Sequence, residues 1–219
     1  MKKYLVTGAN RGIGLEICRQ LKQQGHQVTA VCRSSSEALD ELGVEVIAGI
    51  DVTNQQSLKI LSEQLDHDID VLINNAGVLA RNALGEIDYD TVKTQYEVNA
   101  IGPLMVTETL LPKLHTGSKV AIITSRMGSM ADNDSGGYYG YRMSKAAVNM
   151  AGTSLAVDLK PKGIAVGLLH PGYVKTDMTG HQGFVDTTHS AKGLLARIDE
   201  LTMENTGGFW HADGEQLPW

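Results

Sequence analysis

Tyr141 and Lys145 stand four residues apart in Tyr141-Arg142-Met143-Ser144-Lys145. On a helix that spacing leaves them about 40° apart around the axis and about one turn apart along it. One face then carries a phenol beside an ammonium group. A free tyrosine ionises near pH ~10, and a neighbouring cation favours the ionised form. Such a pair is a proton donor or acceptor usable near neutral pH. Tyr-Lys pairs at this spacing are common on surfaces, so the adjacent tyrosines serve as a check. Tyr138 has Arg142 four residues on and Tyr139 has Met143; only Tyr141 has the lysine. Ser125 is the second reactive group. It follows Lys119 to Thr124, which reads as a strand, and so stands at the strand's C-terminal end, where open α/β sheets place ligands. Ser129 competes with it but lies further along the loop. Asn99 is the third. Residues 88–115 read as helical, and Gly102-Pro103 interrupts them. A proline frees backbone carbonyls about one turn upstream, so a kink leaves the Asn99 side chain and carbonyl available for other bonds.

The elements that must hold these groups begin at the N-terminus. Tyr4 to Thr7 reads as a short buried strand, followed by Gly8-Ala9-Asn10-Arg11-Gly12-Ile13-Gly14 and an amphipathic helix to about Gln24. A strand, a glycine-rich turn and a helix make a phosphate site: the backbone can approach a pyrophosphate, and the helix start offers N–H groups and a positive dipole end. His26 to Cys32 reads as the second strand and ends at Cys32-Arg33-Ser34-Ser35. An acidic residue there would bind the ribose hydroxyl of NAD, and none is present. Arg33 suits a 2′-phosphate instead, and Arg11 adds a second positive charge, which points to NADP. Val44 to Ala48 reads as the third strand. Asp51 after it could accept from an adenine amino group, with Val52 against the ring; Asp51 also suits an N-cap for a helix from near Asn54 to about Leu65.

Asp70 to Asn74 reads as the fourth strand and leads into Asn75-Ala76-Gly77, a small, polar end that allows close contact with a cofactor and bonds between neighbouring strands. Met127 to Tyr139 is rich in Gly, Asp and Asn and reads as a loop bordering the substrate. A helix runs from about Tyr141 to Lys160, and Ile164 to Leu169 reads as the sixth strand. In His170-Pro171-Gly172-Tyr173-Val174-Lys175-Thr176, Pro171 and Gly172 wall a nicotinamide, with Val174 beside them and Thr176 placed for its carboxamide. His170 reads as structural. A short polar lid extends to about Thr188, a helix from Ser190 to about Met203, and a last strand covers Gly208-Phe209-Trp210. The apolar tip Leu217-Pro218-Trp219 is expected to pack on a partner subunit. Met127, Met130, Tyr138, Tyr139, Tyr173, Met178 and Phe184 are candidates for an apolar pocket wall, and methionines make such walls adaptable.

The 219 residues suffice for one domain with a sizeable core. With 42% hydrophobic and 20% charged residues the chain reads as soluble and globular, and a formal charge of -6 argues against a nucleic-acid partner. Two cysteines, Cys18 and Cys32, make no disulfide framework and suit a reducing cytoplasm. No apolar run reaches the roughly 18–20 residues of a membrane span, and no metal site is expected.

Taken together, Thr7-Gly8-x-x-x-Gly12-x-Gly14, Asn74-Asn75-Ala76-Gly77, Asn99, Ser125, Tyr141-x-x-x-Lys145 and Pro171-Gly172 resemble the short-chain dehydrogenase/reductase family, in order and over essentially the whole chain. The resemblance is to its compact carbonyl-reductase and C-factor-like branch, since the chain is small, its lid short, and the Ser125–Tyr141 gap longer than in many members. It implies one doubly wound Rossmann-type α/β domain over residues 1–219, with a seven-stranded parallel sheet in the order 3-2-1-4-5-6-7. The cofactor half would be about 1–115 and the catalytic and substrate half about 116–219. It also implies a tetrad of Asn99, Ser125, Tyr141 and Lys145, NADP(H) rather than NAD(H) as cofactor, a small carbonyl or alcohol substrate, and a homodimer or homotetramer. An isomerase of the extended branch would need a longer C-terminal substrate domain. A non-enzymatic or signalling NADP-binding protein would usually lose the Tyr-Lys pair.

Overall fold

The computed structural model describes all residues 1–219. Seven strands form one parallel sheet: β1 Lys3–Thr7, β2 Gln27–Val31, β3 Glu45–Ile47, β4 Ile69–Asn74, β5 Leu114–Ile123, β6 Ala165–His170 and β7 Phe209–His211. Their order is β3-β2-β1-β4-β5-β6-β7, as expected. Successive strand residues face opposite sides, and helices cover both, so the strands are largely apolar where the helices cover them. Leu5 joins the core beneath α3 (Gln55–Gln64), α5 (Gly102–Leu110) and α6 (Tyr139–Leu159), with Leu58, Leu61, Val106 and Val148. Val6 joins the opposite core with Ile17 and Leu21 of α1 (Gly12–Gln23) and Leu194 and Leu195 of α7 (Thr187–Glu200). The two remaining helices are α2 (Glu37–Asp40) and α4 (Tyr89–Tyr96). The strand order reverses between β1 and β4, and the C-terminal ends there open the crevice where such sheets bind ligands. No helix is long and apolar enough to cross a membrane.

Several boundaries differ from expectation for identifiable reasons. β5 starts at Leu114 rather than Lys119, because Leu114 pairs with Ile69 before a register shift restores Lys119 opposite Val71. Ser118 donates to the Ile69 carbonyl at 2.7 Å across that irregularity, which the polar His115–Ser118 stretch hid. The helix start near Asn54 is capped by Asn54 itself, whose side chain accepts from Ser57 N at 3.0 Å, not by Asp51. The loop after Ser125 opens with a 3₁₀ turn at Arg126–Gly128. α2 was not foreseen; Ser36 caps this single short turn. The helix between 88 and 113 is continuous but contains a π turn at Glu97–Ile101, placed around Asn99. The C-terminal tip packs on its own chain: Leu217 is buried and the Trp219 ring stacks on Phe209 with centroids 5.2 Å apart.

Candidate active site

The glycine turn is held by packing rather than by capping. A Cβ on Gly14 would lie 2.3 Å from the Gly8 carbonyl oxygen and 2.5 Å from Asn75 Nδ2, so α1 can approach β1 only with glycine there. Arg11 is the N-cap of α1; no side chain caps that start, and its first turn has no acidic residue. Those first N–H groups with a positive dipole end form a cradle that fits a pyrophosphate. Ile13 packs against the core cluster below. Asn75 stitches the crevice. Its Nδ2 donates to the Thr7 and Gly8 carbonyls at 3.0 and 3.1 Å. Oγ1 of Thr7, the first residue of the glycine motif, accepts from the amides of Asn75 and Ala76 at 3.0 and 3.1 Å. Ala76 therefore lies directly against the glycine turn, and Gly77 beside it faces Asn99 and Lys145.

The end of β2 is tied to this turn: Asn10 Nδ2 donates to the Ser34 carbonyl at 2.9 Å, and Ser36 Oγ to the Asn10 carbonyl at 2.7 Å. Arg33, just before Ser34, is exposed. Asp51 stands near enough to feel its charge. Hydrogen bonds from Thr53 N and Oγ1, at 2.9 and 2.7 Å, hold the Asp51 carboxyl below its usual range, and Arg33 adds to this. Val52 turns its side chain into the core, where a Cβ on Gly102 would lie 3.1 Å from it. Arg11 pairs at 3.6 Å with Asp177, an exposed contact across the crevice.

Ser125, Tyr141 and Lys145 are buried at the mouth of β5, each less than a tenth exposed. Ser125 stands beside the Tyr141 side chain, near enough for its hydroxyl to favour the phenolate, and its Oγ accepts from Met127 N at 3.2 Å. Ser129 points elsewhere: its Oγ accepts from Asp132 N at 3.2 Å within the loop. Lys145 Nζ donates to the Ile123 carbonyl at 2.9 Å and lies 5.7 Å from the centre of the Tyr141 ring. The Asn99 side chain is fully engaged in bonds outside its own helical turn. Oδ1 accepts from Val78 N at 2.8 Å, and Nδ2 donates to the Val78 carbonyl at 2.8 Å and to Ser144 Oγ at 3.0 Å. What the sequence does leave to Asn99 is its carbonyl, since Pro103 four residues on has no N–H to give it.

The far wall also converges. Ser190 Oγ donates to the Pro171 carbonyl at 2.7 Å, fixing the Pro171-Gly172 turn to α7. Val174 bridges Val185, and Tyr173 meets Phe184 edge-on with centroids 5.4 Å apart. The Thr176 methyl lies 3.5 Å from where a Cβ on Gly12 would be, so the lid's base touches the glycine turn. Of the apolar wall candidates, Met130 and Phe184 are more than four-fifths exposed, and Tyr173 and Met178 about two-fifths. His170 is buried with Nδ1 unpartnered, and burial pushes it down to about 3, so it is neutral and structural.

Burial reverses one electrostatic expectation. The adjacent lysine is expected to lower the Tyr141 pKa, yet loss of water raises it to about 12, against a smaller opposing effect of the Ser125 hydroxyl. Lys145 is pulled down to about 8 by the same cause. At neutral pH the phenol holds its proton and the amine is mostly charged. For Lys145 the folded value lies below the unfolded 10.5, so the unfolded chain binds more protons between about pH 8 and 10.5, and stability rises with pH across that window. Lys145→Met is therefore expected to be more stable than the parent at pH 7, by about 1–2 kcal/mol after the lost bond to Ile123 is counted. The difference should close as pH approaches 10.5. Thermal melts at several pH values check this; a variant less stable at pH 7 would refute it.

Comparison with known proteins places this geometry. Residues 2–183 match the short chain dehydrogenase family. The chain is 42% identical, over 100% of both chains, to 1-hydroxy-2-glutathionyl-2-methyl-3-butene dehydrogenase of Rhodococcus sp. (strain AD45). It is 49% identical to C-signal of Myxococcus xanthus, over 69% of this chain and 93% of that protein. The NADPH-bound carbonyl reductase from chicken fatty liver superposes with a TM-score of 0.91 at 29% identity, covering 100% of this chain and 99% of that one. With its sheet order, glycine turn and buried Tyr141–Lys145 pair, this chain belongs to the short-chain dehydrogenase family of oxidoreductases.

Proposed function

We propose that the protein is an NADPH-dependent reductase of small apolar carbonyl compounds. The observation that carries this reading is the buried Ser125–Tyr141–Lys145 cluster, in which a protonated phenol stands beside a mostly charged amine at the crevice of the sheet. Bound dinucleotide supplies the hydride. Ser125 binds the carbonyl oxygen by its hydroxyl. Tyr141 gives that oxygen a proton as general acid in the reduction direction. Lys145 binds the ribose hydroxyls and supplies the positive charge that stabilises a Tyr141 phenolate once the proton has left. Asn99 holds the segment at Val78 and, through its main-chain carbonyl, a water leading from Lys145 to solvent.

On the cofactor side, Gly8, Gly12 and Gly14 leave the backbone open to the pyrophosphate, and Asn10 orders the turn that presents Arg33. Arg33 and Arg11 select the 2′-phosphate, Asp51 and Val52 border the adenine, and Asn75, Ala76 and Gly77 floor the crevice. Pro171, Gly172, Val174 and Thr176 wall the nicotinamide. The likeness to the NADPH-bound chicken enzyme supports this division of the chain. Exposed apolar side chains at Tyr96, Leu104, Met150 and Val157 favour self-association through α4–α5 and α6. A purely signalling role has the likeness to C-signal on its side, but it gives no use to a charged lysine buried beside a tyrosine.

The test is a fluorescence titration with NADPH and NADH on the wild type and Arg33→Ala. A charge-assisted phosphate contact is worth about 1.5–3 kcal/mol, so the variant is expected to bind NADPH about 10- to 100-fold more weakly and NADH as before. Equal losses for both cofactors would remove Arg33 from the phosphate site. Absence of binding by the wild type would favour the non-enzymatic reading.

A further inference from the structure

Residues 78–82 lie alongside α4 and its π turn, bonded at every second residue. Val78 exchanges two bonds with the Asn99 side chain, Ala80 N donates to Gln95 Oε1 at 2.9 Å, and Asn82 Nδ2 donates to Thr91 Oγ1 at 3.1 Å. One side of this ladder advances by two residues and the other by four. Two extended residues span about 6.6 Å and four helical ones about 6 Å, so the two repeats stay in step over three rungs.

The last rung reaches the helix that carries Tyr141. α6 has no cap of its own: Tyr138, at the N-cap position, makes no side-chain bond to the helix and is left-handed at φ 51. Asn82, 4% exposed and distant in sequence, takes that role. Its carbonyl accepts from Tyr138 N at 2.9 Å, and its Oδ1 accepts from Gly140 N at 3.2 Å and from Gln95 Nε2 at 3.4 Å. A Cβ on Gly140 would lie 2.5 Å from Gln95 Nε2 and 2.9 Å from Asn82 Oδ1, so the residue before Tyr141 must be glycine for the contact to form. On the other side of Tyr141, its own carbonyl accepts from Ser144 Oγ at 2.8 Å, and Asn99 holds that hydroxyl. Both ends of the ladder thus grip the first turn of the helix.

We infer that Asn82 is a positioning residue for Tyr141: it caps the Tyr141 helix from a separate segment and, with Gln95, fixes where the phenol points. The inference rests on the reading of Tyr141 as the proton donor. Asn82 touches neither the glycine turn nor Arg33, so its effect should fall on turnover and spare cofactor binding.

The experiment compares Asn82→Leu and Asn82→Asp with the wild type, using 4-nitrobenzaldehyde at saturating NADPH. Leucine removes the acceptor, and kcat should fall about 10- to 100-fold, as expected for a misplaced reacting group, with KM and the NADPH dissociation constant within about twofold. Aspartate still accepts from Gly140 N, at a helix end that favours negative charge, and should recover kcat to within about threefold. An unchanged kcat in Asn82→Leu overturns the inference, as does an aspartate variant that falls as far as the leucine one. Amide hydrogen exchange at Gly140, whose N–H is held by the Asn82 side chain, decides the cap independently of catalysis in cofactor-free protein. Faster exchange in Asn82→Leu is expected, and unchanged protection would refute the cap. A wild type that reduces no carbonyl but shows this exchange difference overturns the functional reading and not the cap.

Discussion

Replacing Tyr141 with phenylalanine is expected to lower turnover at saturating NADPH by about 10²–10⁴-fold, the range for loss of a positioned general acid. NADPH affinity should change by no more than about twofold, because the ring, its volume and its 5.7 Å approach to Lys145 all remain. Ser125 still accepts from Met127 N, so its buried hydroxyl keeps a partner. The sign of the Tyr141 shift sharpens the test. With burial holding the phenol near 12, it is protonated throughout the neutral range and can give a proton without prior activation. Reduction by the wild type should therefore be insensitive to Tyr141 ionisation near pH 7, whereas alcohol oxidation, which needs the phenolate, should accelerate as pH rises. Turnover by Tyr141→Phe within about threefold of the wild type would mean that the proton comes from elsewhere.

The fold was legible because its signals are local. A short apolar strand, Gly8 to Gly14 and an amphipathic helix sit in one continuous stretch, and the Tyr141–Lys145 spacing is a property of one helix. Interactions between distant segments were not legible. Lys145 looked like a group that lowers the tyrosine pKa, since sequence displays the charge and not the water lost on burial. Asn99 looked available because a helix break announces itself, while its bonds to Val78 and Ser144 come from elsewhere in the chain. Asn82 and Gln95 gave one signal that could have been read. Thr91, Gln95 and Asn99 recur every four residues and so line one face of the helix, where Gln95 and Asn99 are buried while Asp90, Lys93, Thr94, Tyr96 and Glu97 are exposed. Buried polar side chains in such a stripe demand partners. Thr7 was legible only as the start of the glycine motif, and its bonds to Asn75 and Ala76 were not, because a threonine ending a strand has many ordinary uses.

Gly14→Ala is expected to weaken NADPH binding strongly and to destabilise the protein together. The methyl group would arrive 2.3 Å from the Gly8 carbonyl oxygen and 2.5 Å from Asn75 Nδ2. Neither neighbour is the loose end of a flexible side chain. The first is backbone of the phosphate turn. The second is bonded at 3.0 and 3.1 Å to the carbonyls of Thr7 and Gly8, which ties β4 to β1. Relief requires α1 to move off the sheet or Asn75 to give up both bonds, for about 2–4 kcal/mol of overpacking and lost hydrogen bonding. Either movement displaces the helix start from the position in which its N–H groups face a pyrophosphate, and affinity should fall on the order of 100-fold, equivalent to about 2.7 kcal/mol. Gly25→Ala supplies the control. That glycine ends the same helix with φ +79 and nothing within 4 Å of an added Cβ. Its substitution costs only backbone strain, about 1–2 kcal/mol, and should leave NADPH binding intact. Gly14→Ala that melts lower yet binds NADPH like the wild type would separate packing from cofactor binding, and the glycine turn would then no longer be the pyrophosphate cradle.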